Sequence, residues 1–417
     1  MKNFLKIFTY LILFISVPIH AEFRAGVSVK NVTPNPLLPV SGGVGASEPV
    51  NQAKGDLTVR ALVFDDGKTR IAFVSADFLG FPRVLGDKVR AQINSIRPEN
   101  ILIGATHTHS APDCYGFPDK DGNTSADLNY LEFVCNKTAE AIKEAIKQLE
   151  PVSLKIASGK AKGKIAYNYY ADELYDPRCN IIQAINKSGD PLATLVNYAI
   201  HPEVLGSGQQ ILSPDLIGPL YDRIESNSGG TGIFMNSAQG GMVTADVRGP
   251  HGKDIQTWDE CIRIGHLLAD EALRIVKNAP EQLDPKIYCG WKEITFPIDS
   301  DMIFSIINQS PLLAGHYQDR IIKTNINLVH IGNAQILTIP GEALPNIGYY
   351  LKRNMKGKHN FLFGLTNDAF GYILTKVDWN SFQKYNYITR TSLGEMTGEI
   401  YIREALELIE GAPDINK

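Results

Sequence analysis

A pair of histidines in the segment Thr106-His107-Thr108-His109-Ser110 is the strongest candidate for chemistry in this chain. Alternate residues of an extended backbone face the same way, so His107 and His109 can both point into one cleft. Residues 100–105 are apolar and typical of a buried strand, and open α/β sheets bind their ligands at the carboxyl ends of strands. An isolated pair of this kind is more often held by local hydrogen bonds on a loop, so a catalytic interpretation needs further residues.

Two further residues follow apolar strands in the same manner. His201 comes after residues 193–200, and Glu342 comes after residues 334–339. Each alone fits a structural role, as a hydrogen-bonded histidine or as a carboxylate at a helix N-terminus. Together, two imidazoles and a carboxylate at strand ends are a common ligand set for catalytic zinc. Zinc lowers the pKa of its bound water to about 7, and a neighbouring histidine such as His109 can transfer a proton.

The segments that carry these residues alternate between strand-like and helix-like patterns. This order predicts an α/β fold, a layered mixed sheet with flanking helices and a zinc site at the carboxyl ends of strands. Asp215 is expected to cap a further helix. The predicted strands are residues 61–64, 70–75, 100–105, 193–200, 232–235, 326–331, 334–339 and 360–365. The predicted helices are residues 83–96, 128–149, 261–276, 344–356 and 392–409.

The composition is that of an ordinary globular protein. Of the 417 residues, 44% are hydrophobic and 21% are charged, so a large core can form. The net charge of −4 and the lack of a long basic run disfavour nucleic acid as a partner. None of the five cysteines forms a CxxC pair, so a thiolate zinc site is not indicated. The cysteine count leaves one or two disulfides open, and the oligomeric state stays undetermined.

The first 21 residues differ from the rest of the chain. Lys2 and Lys6 precede an apolar run over residues 7–17, and the small residue Ala21 follows. This is the pattern of a secretory signal peptide, and the apolar run is too short to span a bilayer comfortably. We therefore expect cleavage after Ala21 and a secreted or periplasmic protein. The alternative is an uncleaved membrane anchor.

Several segments, in the same order along the chain, resemble those of the neutral, non-lysosomal ceramidases. Residues 105–116 (ATHTHSAPDCYG) are similar to that family's THTHSGPGGY signature, and the similarity runs from about Phe23 to the C-terminus. The other similar segments are DLTVRALVFDDG, NYAIHPEVLG, INLVHIGNAQILTIPGE and GLTNDAFGYILT. The resemblance implies a zinc-dependent amidohydrolase of lipid metabolism, which cleaves an N-acyl amide such as the sphingolipid ceramide through a metal-activated water.

The resemblance also implies a ligand set. In the family, zinc is bound by two histidines, a glutamate and a tyrosine, which correspond here to His107, His201, Glu342 and Tyr372. A phenol is an unusual ligand, and the chemistry of the residues alone does not point to Tyr372. His109 corresponds to the histidine beside the zinc-bound water, where we expect it to transfer a proton.

The chain departs from the family at positions that face the substrate. Val243 stands where the family's GDVSPN segment has an active-site serine, and Thr244 could replace that serine only by a shift of one residue. Asn168-Tyr169-Tyr170 stands where the family supplies a substrate-binding arginine. The turn Gly240-Gly241 would let the backbone amide of Gly241 approach a developing oxyanion. Because the implied ligands are kept while these groups are lost, we expect hydrolysis with altered specificity.

Residues 22–417 are expected to form one ceramidase-like catalytic domain without the family's additional immunoglobulin-like domain. Residues 279–285 are a weak candidate for a subdomain boundary. Two alternatives stay open: an esterase that uses the same zinc site, and a secreted binding protein that keeps the fold without turnover. The expected partner is a small-molecule or lipid substrate, and a transient contact with a membrane surface is left open.

Overall fold

Two packed β-sheets with helices on their outer faces form the fold. The computed structural model describes residues 22–414, and the expected signal peptide, residues 1–21, lies outside this range. Within the described range, no helix combines the length and the hydropathy that a membrane crossing requires.

The strands in chain order are β1 (Arg24–Asn31), β2 (Val40–Ser41), β3 (Gln52–Ala53), β4 (Thr58–Asp65), β5 (Arg70–Ala76), β6 (Ile101–Ala105), β7 (Ala111–Pro112), β8 (Glu150–Lys160), β9 (Ala166–Asn168), β10 (Arg178–Asn186), β11 (Pro191–Tyr198), β12 (Ile211–Leu212), β13 (Thr231–Asn236), β14 (Val243–Ala245), β15 (Glu281–Gln282), β16 (Ile287–Pro297), β17 (Ile321–Ile331), β18 (Ala334–Thr338), β19 (Glu342–Ala343), β20 (His359–Phe363) and β21 (Tyr372–Ile373). The α-helices are α1 (Arg83–Arg90), α2 (Leu128–Lys147), α3 (Ile217–Ser226), α4 (Trp258–Val276), α5 (Asp301–Gln309), α6 (Pro345–Asn354), α7 (Asn386–Arg390) and α8 (Thr397–Gly411).

Both sheets are mixed. The larger sheet has nine strands, eight of them in the order β13-β11-β10-β8-β1-β4-β5-β6, with β15 paired to β8. The smaller sheet has the order β16-β17-β18-β20. Within these two sheets, the parallel pairs are β5 with β6, β11 with β13, and β18 with β20. One strand of each parallel pair leads directly into a predicted site residue, which explains why these residues meet at one end of the molecule.

The core is divided by the alternation of side chains along the strands. On β4, Leu62 and Phe64 face the smaller sheet, whereas Ala61 and Val63 face the helices. Helix α2 covers β1 and β4, α3 and α4 cover the other half of the larger sheet, and α8 covers the outer face of the smaller sheet. The result is a layered order of helices, sheet, sheet and helices, in which both sheets bury both faces.

The structure confirms the predicted α/β fold class, and each predicted strand and helix overlaps one in the structure. The helix predicted over residues 83–96 is wrong in its second half, because α1 ends at Arg90 and the turn formers Asn94 and Ser95 follow. The last helix begins at Thr397 rather than at residue 392, after Gly394. Residues 279–285 contain β15 and lead into the smaller sheet, and the boundary expected there stays a prediction.

The cysteines are all unpaired in the structure. Cys114, Cys135, Cys179 and Cys261 are buried, and Cys289 is half-buried. The cysteine count had left one or two disulfides open, and the structure contains neither. Burial raises the pKa of the Cys289 thiol to about 11, so this thiol is protonated at neutral pH.

Replacing Phe73 by alanine is expected to destabilise the packing between the two sheets. The Phe73 side chain is fully buried, and its ring meets Phe363 edge to face at a centroid distance of 5.3 Å. The truncation should lower the free energy of unfolding by about 3–5 kcal/mol, measured by urea denaturation. Leu283→Ala is the matched control, because Leu283 is 77% exposed. Equal effects of the two substitutions would contradict this account of the core.

Candidate metal and active site

Three predicted site residues meet where strands of both sheets end. His107 follows β6, His201 follows β11, and Glu342 follows β18. Nε2 of His201 lies 3.1 Å from Oε2 of Glu342, and Nε2 of His107 lies 3.4 Å from the same oxygen. All three residues are buried, with exposures of 4%, 0% and 7% in chain order. The structure therefore brings together three of the four implied ligands.

Backbone carbonyls fix the orientation of the two imidazole rings. Nδ1 of His107 hydrogen-bonds the carbonyl of Leu79 at 2.5 Å, and Nδ1 of His201 hydrogen-bonds the carbonyl of Val243 at 2.9 Å. A carbonyl can only accept, so each Nδ1 carries the proton and a neutral ring presents a lone pair at Nε2. Both lone pairs then face a carboxylate oxygen of Glu342, which is also an acceptor. A positive charge, either a proton or a metal ion, must therefore lie among these acceptor atoms to offset their mutual repulsion.

A third imidazole belongs to the same cluster. The ligand nitrogens of His107, His109 and His201 all lie within 4.8 Å of one another, so the three histidines could hold a metal ion. Nε2 of His109 is buried without a hydrogen-bond partner, and its Nδ1 lies 3.5 Å from Oε2 of Glu203. Imidazole nitrogens beside a carboxylate oxygen are donors that fit zinc. The position of His109 fits either a ligand or a proton-transfer group.

Charge within the cluster follows from burial and from the contacts between its members. Burial opposes ionisation of Glu342, but His107 and His201 outweigh it and lower the pKa of this carboxyl well below its ordinary value. Burial also opposes the charged form of His201, but the hydrogen bond to Glu342 raises its pKa to about 9. For His109, burial and the two neighbouring histidines lower the pKa well below the ordinary value. Glu342 is therefore a carboxylate and His109 a neutral imidazole at neutral pH.

Tyr372, the fourth implied ligand, lies next to Glu342. The two residues pair directly across the parallel strands β19 and β21. Tyr372 is buried, and its hydroxyl donates to Sδ of Met242 at 3.1 Å. Burial and the nearby Glu342 raise the pKa of this phenol well above its ordinary value, which keeps it neutral. Coordination of zinc by Tyr372 stays a prediction.

Gly241 and Thr244 were predicted to act in catalysis, and both lie beside the cluster. A Cβ at Gly240 would lie 2.2 Å from the backbone oxygen of Glu342, and Gly241 has a φ of +67°. The two glycines thus let the chain pass directly against the strand that carries Glu342. Thr244 lies on β14 opposite Tyr167. Neither Gly241 nor Thr244 is among the described residues that line the cavity at the site, and their catalytic roles stay predictions.

Val243 contributes to the site through its backbone. Its side chain is fully buried in the apolar core between the larger sheet and helices α3 and α4. Its carbonyl accepts hydrogen bonds from both the backbone N–H and Nδ1 of His201. Val243 therefore orients His201 through its backbone, and its side chain is not among the described residues that line the cavity.

Two polar side chains hold the loops that carry the histidines. Nδ2 of Asn236 donates to the carbonyls of Thr106 and Ile200, at 3.0 Å and 2.8 Å, and so joins the two loops. Asp215 was expected to cap a helix, and this expectation is wrong. Its carboxylate accepts from the backbone N–H groups of Val204, Leu205 and Leu216, whereas helix α3 has Leu216 as its N-cap and no side-chain cap.

An apolar cavity opens onto the cluster. The space inside it that can hold water-sized molecules amounts to about 100 Å³. Helix α5 forms one wall, and the sequence analysis missed this helix although Ser300 caps it by accepting from the N–H of Ile303. Its apolar residues at the cavity are Ile303, Ile306 and Ile307, and the following segment adds Leu313, Tyr317 and Ile322. Such a cavity can bind an apolar chain beside the polar cluster.

Comparison with known proteins points to one family. No family model matches the chain. Neutral ceramidase B of Dictyostelium discoideum is 25% identical over 225 residues, and neutral ceramidase A of the same organism is 24% identical over 226 residues. Each match covers 47% of this chain but only 31% and 32% of the relatives, so the matched region spans about a third of their length.

Solved structures show the same fold over most of the chain. The neutral ceramidase from Pseudomonas aeruginosa and a ceramidase complexed with C2 each superpose with a TM-score of 0.74 at 16% identity. The superpositions cover 95% of this chain and 77% and 78% of those chains. The chain is thus similar in sequence to the neutral ceramidases over about half of its length, and it shares the fold of the solved ceramidases over most of its length.

Removing single ligands is expected to release zinc from the site. Purified protein should bind about one zinc ion per chain. His107→Ala, His201→Ala and Glu342→Gln should each weaken zinc binding by about 100-fold or more, because each removes a donor atom. The measurement is competition with a chelating indicator, checked by elemental analysis, with circular dichroism to confirm the fold.

The control for this experiment is His316→Ala, since His316 is exposed and lies outside the cluster. His109→Ala tests whether His109 is itself a zinc ligand or only a proton-transfer group. Retention of zinc in this variant supports a proton-transfer role, whereas a loss equal to that of His201→Ala makes His109 a ligand. Full retention in Glu342→Gln would contradict the role of Glu342.

Proposed function

We propose that this diverged relative of the neutral ceramidases is an exported, zinc-dependent hydrolase that cleaves an N-acyl amide of a lipid by attack of water. The observation that carries the proposal is the convergence of Nε2 of His107 and His201 on one oxygen of Glu342, on the wall of an apolar cavity. Zinc bound there would supply a Lewis acid and a water of pKa about 7.

The cavity orients the substrate. An acyl chain packed along helix α5 loses contact with water, and this burial provides binding energy at a distance from the scissile bond. The rings of Tyr115 and Phe117 stack at a centroid distance of 4.7 Å and line the same cavity. The apolar walls also limit the access of bulk water, which strengthens the polar interactions around the cluster.

His109 transfers the proton in this mechanism. Its imidazole is neutral and lines the cavity, and its buried Nε2 has no protein partner. Nε2 therefore accepts a proton from the attacking water and donates it to the amide nitrogen as the C–N bond breaks. This second step matters for an amide, because an amine leaves only after it has gained a proton. Oε2 of Glu203 lies 3.5 Å from Nδ1 of His109, and a carboxylate on this side favours the proton on Nδ1 and leaves the lone pair on Nε2.

We propose that the polar part of this protein's substrate differs from the polar part of the substrates that the family cleaves. The side chain at Val243 is buried in the core, and Tyr169, which stands where the family has its arginine, is 62% exposed. Neither supplies a hydroxyl or a cation to the cavity. We therefore propose that selectivity rests on the acyl chain, and that N-acyl amides other than ceramide are accepted.

The mechanism is tested with fluorogenic N-acyl amides and the matching acyl esters. Wild-type protein should cleave the amides, lose activity on treatment with a chelator and regain it with zinc. His109→Ala should lower kcat by about 100- to 10,000-fold while zinc content is kept, because proton transfer is lost. Cleavage of esters alone would favour an esterase. Zinc-loaded protein without turnover on either class would contradict the hydrolase and leave the binding protein.

Glu203 is expected to act as a positioning residue for His109. Glu203→Gln keeps an acceptor oxygen and should retain most of the activity, whereas Glu203→Ala should lower kcat about 10-fold with little change in KM. Zinc content should stay unchanged in both variants, since Glu203 supplies no ligand. The comparison is made by steady-state kinetics on the best amide substrate. Equal losses in the two variants would contradict the positioning role.

A further inference from the structure

Exposed apolar side chains cluster on the segment of residues 376–390 (KVDWNSFQKYNYITR). Val377 is 80% exposed, Phe382 is 62% exposed and Tyr387 is 48% exposed. Scattered apolar residues on a surface need no explanation, but several on one short segment mark an interaction site. We call this segment, together with Tyr169, the aromatic patch.

Ring contacts join the members of the aromatic patch. Tyr169 meets Tyr170 at a centroid distance of 5.6 Å, and Tyr170 meets Tyr385 at 4.9 Å. Tyr385 in turn meets Phe382 at 5.3 Å. The exposed side chains at the two ends of this row therefore belong to one continuous surface.

The aromatic patch is continuous with the cavity. Tyr387 lines the cavity, and its ring lies 6.0 Å from that of Tyr372 beside the histidine cluster. Tyr170 and Tyr385 pack against the buried cluster that contains Tyr372. A molecule that rests on the patch is thus adjacent to the cavity mouth.

The segment carries free positive charge. Lys376, Lys384 and Arg390 are all exposed, and none of them forms an ion pair with a carboxylate of residues 22–414. The one acidic residue of the segment, Asp378, accepts hydrogen bonds from Thr375 and Asn346. The segment itself therefore carries three cations against one carboxylate in a chain whose net charge is −4, and Glu399 of helix α8 accepts a hydrogen bond from the backbone N–H of Lys376.

We propose that the aromatic patch docks on the surface of an anionic lipid bilayer and places the cavity mouth against the acyl chains. Tryptophan and tyrosine rings favour the level of the lipid head groups, and lysine and arginine stems extend toward lipid phosphates. A protein partner fits less well, because lysine is depleted in protein–protein interfaces. The proposal rests on the proposed function only in taking the bilayer as the source of substrate, and docking itself requires no turnover.

Co-sedimentation of the full mature chain with vesicles tests the proposal. Wild-type protein should bind vesicles that contain phosphatidylglycerol more tightly than vesicles of phosphatidylcholine alone, and added salt should weaken this binding. The charge variant K376E/K384E should weaken binding to the anionic vesicles by about 30-fold or more. The apolar variant V377S/F382S should weaken binding to both kinds of vesicle by about 10-fold.

Matched controls lie away from the patch, near the ends of the larger sheet's strands that are opposite the histidine cluster. Leu283→Ser alters a side chain that is 77% exposed, and Lys68→Glu reverses an exposed charge in the turn between β4 and β5. Both should bind vesicles like the wild type. Cleavage of a water-soluble short-chain amide should be unchanged in the patch variants, so a docking defect and a catalytic defect are distinguishable.

Two outcomes would overturn the proposal. One is wild-type protein that does not bind vesicles of either composition, which would leave the patch to a protein partner. The other is equal binding by the patch variants and the control variants. Because sedimentation is measured without substrate, a protein that proves inactive on every amide still gives a decisive result for docking.

Discussion

The meeting of two imidazole nitrogens with one carboxylate oxygen is the constraint on which the site depends. Acceptor atoms this close, away from water, repel one another unless a cation or proton lies among them. The structure holds them there with hydrogen bonds to groups outside the cluster, which Nδ1 of each imidazole donates to the carbonyls of Leu79 and Val243. Asn236 then ties the two histidine loops together. This preorganisation is what a metal requires of its ligands before it binds.

The two-sheet architecture makes that meeting geometrically simple. Each of the three parallel strand pairs sends one strand toward the same end of the molecule, and a ligand follows that strand within a few residues. The helices contribute to stability rather than to the site, because they bury the outer faces of both sheets. Helix α5 serves both purposes, since Ile303 and Ile307 belong to the buried core and also line the cavity. Binding and folding thus use the same kind of apolar surface.

The sequence allowed His107, His201 and Glu342 to be predicted because each directly follows an apolar strand, a pattern that is local. Glu203, Met242 and helix α5 were missed, since their roles depend on contacts between distant segments. Tyr372 was reached only through resemblance to a family, because its pairing with Glu342 joins strands about thirty residues apart. Asp215 was misassigned, since a carboxylate before a helix usually caps it, and only its hydrogen bonds with Val204 and Leu205 in the fold reveal otherwise.

The backbone and the side chain of Val243 have separate roles, which affects how the site can change in evolution. Its carbonyl orients His201, whereas its side chain fills the core on the other side of the chain. Substitutions of the Val243 side chain can therefore alter the core while the backbone carbonyl still orients His201. A serine at residue 243 would place its hydroxyl among the apolar side chains of this core rather than in the cavity.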